Sequence, residues 1–298
     1  MEQLMKQLGI LGIKWEADCL LERHATFRIG GKADLALFPR SRVELCNTLS
    51  LLQQNEIPLL VIGRGSNVVF SDEGYRGAIV FTENCRTYKI EQNTLFADAG
   101  VSVSTLASAA RDASLSGLEF AFGIPGTLGG AVYMNAGAYG GCMSDICIAS
   151  EYYDIQTGQV GRLSDGGQGF GYRTSVYQKH PERIILGATL QLQKGDSEQI
   201  AQTMHTYLEK RRSAQPLDKP NAGSVFKRPE GHFAGKLIED CGLKGLTVGG
   251  AQVSEKHAGF IVNAGGATCE DVKRLVEQIQ TTVLQKTGVE LECEIKFL

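Results

Sequence analysis

The sequence predicts an α+β fold laid out in three successive segments, and three observations support it. Helical and strand-like periodicities alternate irregularly along the chain: Val272, Leu275, Val276, Ile279 and Val283 repeat at helical spacing, whereas the final stretch from Val289 alternates apolar and polar residues. The length of 298 residues suits two domains or three small ones, with ample material for a core. The 36 glycines exceed the usual fraction of about 7%, and they gather in a few loops between apolar runs.

In chain order, Met1 to Glu22 reads as a short helix and a connector, with Leu4, Leu8 and Leu11 at helical spacing. A strand is expected over 33–38, then a helix from about Ser41, which can cap it, to Asn55, with Val43, Cys46 and Leu49 inward. Strands follow at 58–62 and 78–81, closing a first block over 1–82. Gln92-Asn93-Thr94 marks a hairpin, and a helix over 102–114 with Leu106, Ala109 and Ala110 inward leads to a glycine-rich stretch. Paired strands around Thr157-Gly158 and a longer one over 183–192 make a second, β-rich block, 83–197, to which a C-terminal strand over 290–298 is expected to return. Ser197 opens a helix with Ile200, Met204 and Leu208 on one face, and Phe233 to Cys241 is another, stopped by Gly242. Thr268 and Asp271 form a capping box for a long helix closed by Gly288, so residues 198–289 read as a third, α+β block. In the last strand Val289, Leu291, Cys293, Ile295 and Phe297 share one face and Glu290, Glu292, Glu294 and Lys296 the other.

Two glycine-rich stretches carry the chemistry. Phe122 to Gly137 reads F-G-I-P-G-T-L-G-G-A-V-Y-M-N-A-G, a backbone bare enough to turn its N–H groups toward a diphosphate or lie against a flat ring. A tight, buried connection between strands explains the same glycines. Upstream, the apolar run from Pro58 breaks into Gly63-Arg64-Gly65-Ser66-Asn67, a candidate phosphate loop with Ser66 and Asn67 as extra donors. Val68 stands where a Rossmann fingerprint needs its third glycine, no helix follows, and the P-loop pattern is absent. The two loops together suggest a flavin dinucleotide held between strands and loops.

The pairing of V-I-G-R-G-S-N with G-I-P-G-T-L-G-G-A-V-Y-M-N-A-G-A-Y-G resembles the UDP-N-acetylenolpyruvoylglucosamine reductases, flavoenzymes of bacterial cell-wall synthesis. Four further motifs match: T-F-R-I-G-G from Thr26, F-G-Y-R-T-S from Phe170, N-A-G-S-V-F-K from Asn221 and E-C-E-I from Glu292. The likeness runs from about Leu20 to the C-terminus. It implies a two-domain FAD-binding fold of the PCMH/VAO type with a C-terminal α+β substrate-binding domain. It also implies non-covalent FAD, NADPH as reductant, and reduction of an enolpyruvyl ether on UDP-N-acetylglucosamine to the lactyl ether of UDP-N-acetylmuramate. Fifty residues separate Arg173 from Ser224, too few for the extra substrate-covering loop of the larger members, so the chain resembles the shorter type.

Hydride arrival at the enol ether drives charge into the neighbouring carboxylate, which calls for a cation there and a proton donor opposite the flavin. The resemblance assigns Arg173 to the carboxylate, Ser224 to the proton and Glu294 to the relay. By residue type alone these are a loop arginine, a turn-capping hydroxyl and one of three glutamates on a solvated strand face, and Glu292 shares that face. It places Gly63, Arg64, Gly65, Ser66, Asn67, Gly123, Ile124, Pro125, Gly126, Thr127, Gly129, Gly130, Asn135, Ala136 and Gly137 around the cofactor. Tyr172, Arg212, Lys227, Arg228 and His257 fall toward substrate; Arg212 and Lys227 are candidate cations for its acidic groups, and Arg228 stands where some members have asparagine.

The formal net charge of -3 offers no basic patch for nucleic acid. Apolar runs fall well short of the roughly 20 residues of a membrane span. Met1 to Gly12 lacks a secretory pattern, making the cytoplasm the expected location. Eight cysteines without a C-x-x-C pair, and with no metal-like spacing to the five histidines, read as reduced thiols with no bound metal; the expected state is a monomer or weak oligomer. Two competing readings remain: a flavin oxidase of the same fold, and a non-catalytic nucleotide-sugar-binding module.

Overall fold

The structure, a computed structural model, describes residues 2–298. Helices and strands are mixed as the patterning predicts, and the chain divides into two compact units, each discontinuous in sequence. The first takes the chain up to Ala17, Leu35–Arg64 and Gly77–Lys210; the second takes Asp18–Asp34, Gly65–Arg76 and Arg211–Leu298. A four-stranded sheet runs in the order Lys14–Leu20, Lys32–Phe38, Tyr75–Phe81, Leu59–Ile62, the last two parallel.

In the first unit the helix Arg42–Gln54 is capped by Ser41, whose hydroxyl accepts from Glu44 N–H. Its inward face is Leu45, Thr48, Leu49 and Leu52, so Leu49 lies inward as expected, whereas Cys46 is half-buried and Val43, expected inward, is exposed. A five-stranded antiparallel sheet follows, ordered Gln159–Ser164, Cys147–Asp154, Arg183–Gln191, Thr94–Asp98, Tyr88–Glu91. Its hairpin turns on Gln92, at φ 56°. Beneath it the helix Val103–Asp112 buries Val103, Leu106, Ala107 and Ala110. The glycine-rich stretch is not all loop: Leu128–Met134 is a helix capped by Thr127 and ended by Asn135 at φ 43°. Two glycines lower helix propensity, but burial of Leu128, Ala131 and Val132 outweighs it.

The second unit holds a sheet ordered Asn221–Ser224, Phe260–Asn263, Ala251–Val253, Thr247–Val248. Against it packs Cys269–Thr287, with its capping box of Thr268 and Asp271 and its left-handed Gly288. Asp72 adds a second cap, accepting from Cys269 N–H at 2.7 Å and Glu270 N–H at 3.1 Å. The C-terminal strand shortens to Lys296–Phe297 and does not return to the 83–197 block: it lies parallel to Val68–Val69. Its alternation was misleading because only Leu291 and Ile295 of the apolar set are fully buried, and Phe226 bridges Cys293 instead of a continuous ladder. Among the described residues no helix is long and apolar enough to cross a membrane.

Candidate active site

In the first unit the glycine-rich stretch is held by its own backbone. The N–H groups of Leu128 and Gly129 bond Val101 O and Ala99 O at 2.8 Å, Ile124 and Gly126 bond within the turn, Gly123 bonds Ser104 Oγ at 3.0 Å, and Thr127 accepts from Gly130. The glycines serve close approach here: a Cβ on Gly129 would stand 2.9 Å from Ala99 Cβ, and one on Gly63 2.3 Å from Thr127 Oγ1. The N–H groups expected to turn outward are therefore engaged within the protein. Asn135 is also engaged, its Nδ2 donating to Gly171 O at 2.9 Å and its Oδ1 accepting from Ser144 N–H at 2.8 Å.

That bond reaches the F-G-Y-R-T-S motif. Gly171 and Thr174 exchange backbone bonds of 3.1 and 3.3 Å around a two-residue turn, leaving Arg173 left-handed at φ 56°. Its Nη2 donates to Gly137 O at 3.3 Å, so Arg173 and the end of the glycine-rich stretch are brought together. Tyr172 is 55% exposed, with the Arg173 guanidinium 5.1 Å from its ring centre. One partner here escaped the sequence: Gln178, just beyond the motif, whose Nε2 donates to Arg173 O at 3.0 Å. Its side chain sits in no recognisable pattern, and the left-handed Arg173 that it holds is invisible to periodicity.

In the second unit, Gly65, Ser66 and Asn67 form an open cradle. Gly65 O accepts from Thr26 N–H and Asn67 O from Lys296 N–H, while the N–H groups of all three bond to no other protein group among the described residues. Gly65 stands at φ 61° with a Cβ position 2.2 Å from His24 O, so only glycine fits. Three consecutive open donors with the Ser66 hydroxyl fit a diphosphate. Asn67 instead turns its Nδ2 to Glu294 O at 3.2 Å.

Glu294 N–H also bonds Val225 O at 2.8 Å, which lays the last segment beside N-A-G-S-V-F-K. Asn221 Oδ1 accepts from Gly223 N–H, Gly223 takes φ 81°, and the pairing bulges before Ser224 meets Phe260. Val225 and Phe226 are buried, so Ser224 is left exposed on the outer side. Ser224 and Glu294 thus flank Val225. Glu292, the alternative, is 72% exposed and ion-paired to Lys227. His257 accepts Gly259 N–H on Nδ1 at 3.1 Å and meets Phe260 edge-on at 5.0 Å; burial above all lowers its pKa, favouring the neutral ring with hydrogen on Nε2. Arg228 stacks on Phe233 at 4.0 Å, and exposed Arg212 accepts the Lys256 ammonium on its carbonyl. All eight cysteines are free thiols, but Cys19 and His24, expected to be unrelated, have ligand atoms within 4.8 Å of one another.

Comparison with known proteins gives this geometry a family. A family model for an FAD binding domain matches residues 33–164, and one for the UDP-N-acetylenolpyruvoylglucosamine reductase C-terminal domain matches 215–298. The reductase of that name from Caldanaerobacter subterraneus is 47% identical over 93% of this chain and 91% of its own length. The chain belongs to the UDP-N-acetylenolpyruvoylglucosamine reductase family. Another reductase of this name, from Clostridioides difficile, is 46% identical over 93% of this chain and 91% of its own. The crystal structure of the Thermus caldophilus reductase superimposes with a TM-score of 0.80 at 34% identity, over 96% of this chain and 98% of that one. The reductase fold expected from the six motifs, an FAD-binding region followed by the family's C-terminal domain, is therefore the fold observed. The family is one of oxidoreductases, and the FAD-binding match spans both glycine-rich stretches.

Proposed function

We propose that this reductase converts UDP-N-acetylglucosamine enolpyruvate to UDP-N-acetylmuramate, with NADPH as reductant. The observation that carries the reading is the Val225–Glu294 backbone bond, which sets exposed Ser224 and half-buried Glu294 on either side of one buried residue in a chain of this family. FAD, when bound, supplies the hydride relay between NADPH and the methylene carbon of the enol ether. Arg173 offers two donors to the substrate carboxylate, and its hold strengthens as negative charge accumulates there, which lowers the barrier. Ser224 then gives its hydroxyl proton to the adjacent carbon. A serine is a weak acid, so Glu294 supports the return of that proton from solvent. The segment 198–289 holds the nucleotide sugar, with Tyr172, Arg212, Lys227, Arg228 and His257 as contacts and the Gly65–Asn67 cradle on the FAD diphosphate.

Anaerobic stopped-flow absorbance tests this directly. The flavin band should bleach with NADPH and return on adding the enolpyruvyl nucleotide sugar. Return only with oxygen would replace the reading by an oxidase, and absence of any band would leave a binding module. In Ser224→Ala the bleaching should persist while the return slows by roughly 10²- to 10⁴-fold; equal slowing of both steps removes Ser224 from the proton role.

A further inference from the structure

We propose that Asn135 and Gln178 are positioning residues that hold Arg173 in its left-handed turn; the inference rests on the reading of Arg173 as the carboxylate-binding group. An arginine at φ 56° is not in its preferred region, and such a residue persists only where its surroundings over-determine it. The turn's own two backbone bonds, 3.1 and 3.3 Å between Gly171 and Thr174, are on the long side for that task.

The remaining hold comes from outside the turn. Asn135 Nδ2 donates to Gly171 O at 2.9 Å, fixing the entry. Gln178 Nε2 donates to Arg173 O at 3.0 Å and to Tyr133 O at 3.1 Å, fixing the exit and joining it to the end of the Leu128–Met134 helix. Ser175, 1% exposed, adds a third tie through its hydroxyl to Tyr133 O at 2.8 Å. Both positioning residues are themselves anchored. Asn135, 7% exposed, is left-handed at φ 43°, a conformation asparagine tolerates better than most, and Ser144 N–H holds its Oδ1. Gln178 follows Tyr177, which is buried at 1% with its hydroxyl 2.6 Å from Ser150 Oγ. Two left-handed residues, one at each end of this suture, are thus locked to one another, and the lock sets the direction in which the Arg173 side chain leaves the backbone toward Gly137 O. If the turn relaxed to the right-handed region, the guanidinium would leave in another direction while the fold around it stayed.

The test uses the FAD-loaded enzyme with Gln178→Met, which keeps chain length and removes both donations, and Asn135→Asp. The aspartate keeps the acceptor for Ser144 and the tolerance for positive φ, but sets an oxygen against Gly171 O. In Gln178→Met, flavin content and anaerobic bleaching by NADPH should stay within about threefold of wild type. The substrate-driven return of the band should slow roughly tenfold to thirtyfold in each variant. The double variant should lose less than the product of the two, because both side chains hold one turn. Arg173→Ala separates the levels. If it leaves the return at wild-type speed, the reading of Arg173 fails and the inference with it. If it slows the return while Gln178→Met and Asn135→Asp do not, the positioning roles are overturned and the reading of Arg173 stands. Equal slowing of both half-reactions in Gln178→Met, or loss of its flavin, would also overturn them in favour of a general structural role.

Discussion

Replacing Gly65 by alanine should release the cofactor without unfolding the protein. The alanine Cβ would lie 2.2 Å from His24 O and 3.0 Å from Ala25 Cα, both backbone atoms that cannot rotate away. Ordinary Cβ contacts begin at about 3.4 Å, so the loop must retreat by roughly 1 Å. Alanine at φ 61° adds about 1 kcal/mol of backbone strain, and overpacking at this level costs about 1–3 kcal/mol. The retreat also stretches the 3.1 Å bond from Thr26 N–H to Gly65 O and moves the Ser66 and Asn67 N–H groups with it. If most of that roughly 2–4 kcal/mol falls on the loaded state, the FAD dissociation constant rises about 30- to 1000-fold. The assay is the flavin-to-protein absorbance ratio of the purified variant, followed by fluorescence titration with FAD. A folded Gly65→Ala protein with full flavin content and an affinity within about threefold of wild type would refute the assignment of this loop as the diphosphate cradle.

Other consequences follow from the second unit. Glu294→Gln should slow substrate reduction by roughly tenfold or more while Glu292→Gln, whose exposed side chain only pairs Lys227, should leave it near wild type; stopped-flow traces that rank them the other way reassign the glutamate. Thr268→Ala removes the hydroxyl that accepts from Asp271 N–H at 3.0 Å, so the thermal midpoint should fall by roughly 2–4 °C for a loss near 1 kcal/mol, read by calorimetry. His257 has its pKa lowered from 6.5, chiefly by burial, so below pH 6.5 the unfolded chain takes up a proton that the folded one resists. Its contribution to stability is therefore present above pH 6.5 and lost as pH falls through the lowered folded value. His257→Gln should flatten that part of the profile, and denaturation midpoints falling as steeply with acid as in wild type would assign the slope to other groups.

Where a side chain determines the backbone locally, the sequence was a reliable guide. Ser41, Thr268 with Asp271, Gly242 and Gly288 mark helix ends because each satisfies or relaxes specific terminal groups, and the hairpin at Gln92 is found where its turn residues stand. Long-range partners left no such trace. Gly65–Arg76 folds with the C-terminal third through the pairing of Val68–Val69 with Lys296–Phe297 and through Asp72, which reaches the Cys269 and Glu270 N–H groups 197 and 198 residues away, and no window of sequence contains such partners. The E-x-E ambiguity at the C-terminus persisted for the same reason: both glutamates obey the strand alternation, and only the Lys227 pair and the Asn67 and Val225 bonds distinguish them. Arg173 was found through its motif, whereas Gln178 and the engaged state of Asn135 were not, because positive φ at a non-glycine residue leaves no compositional signature.

The two glycine-rich stretches looked equivalent in composition, yet their backbones do opposite things. In the longer one the donors of Gly123, Ile124, Gly126, Leu128, Gly129 and Gly130 are all taken by the protein, and Gly129 is required because it packs on Ala99. In the shorter one the carbonyls of Gly65 and Asn67 are taken and three successive donors are left open. A stretch of the first kind shapes the site, and one of the second kind can bind an anion. Gly129→Ala separates the two roles. Its Cβ would press to 2.9 Å from Ala99 Cβ and 3.2 Å from Ala99 O, a strain of about 1–3 kcal/mol, while the gain in helix propensity returns roughly 1 kcal/mol. The thermal midpoint should fall by a few degrees, about 2–4 °C per kcal/mol, with the FAD dissociation constant within about threefold of wild type. A variant of unchanged midpoint that sheds its flavin would place the cradle in the longer stretch, and the shorter loop would then have to be explained by its packing alone.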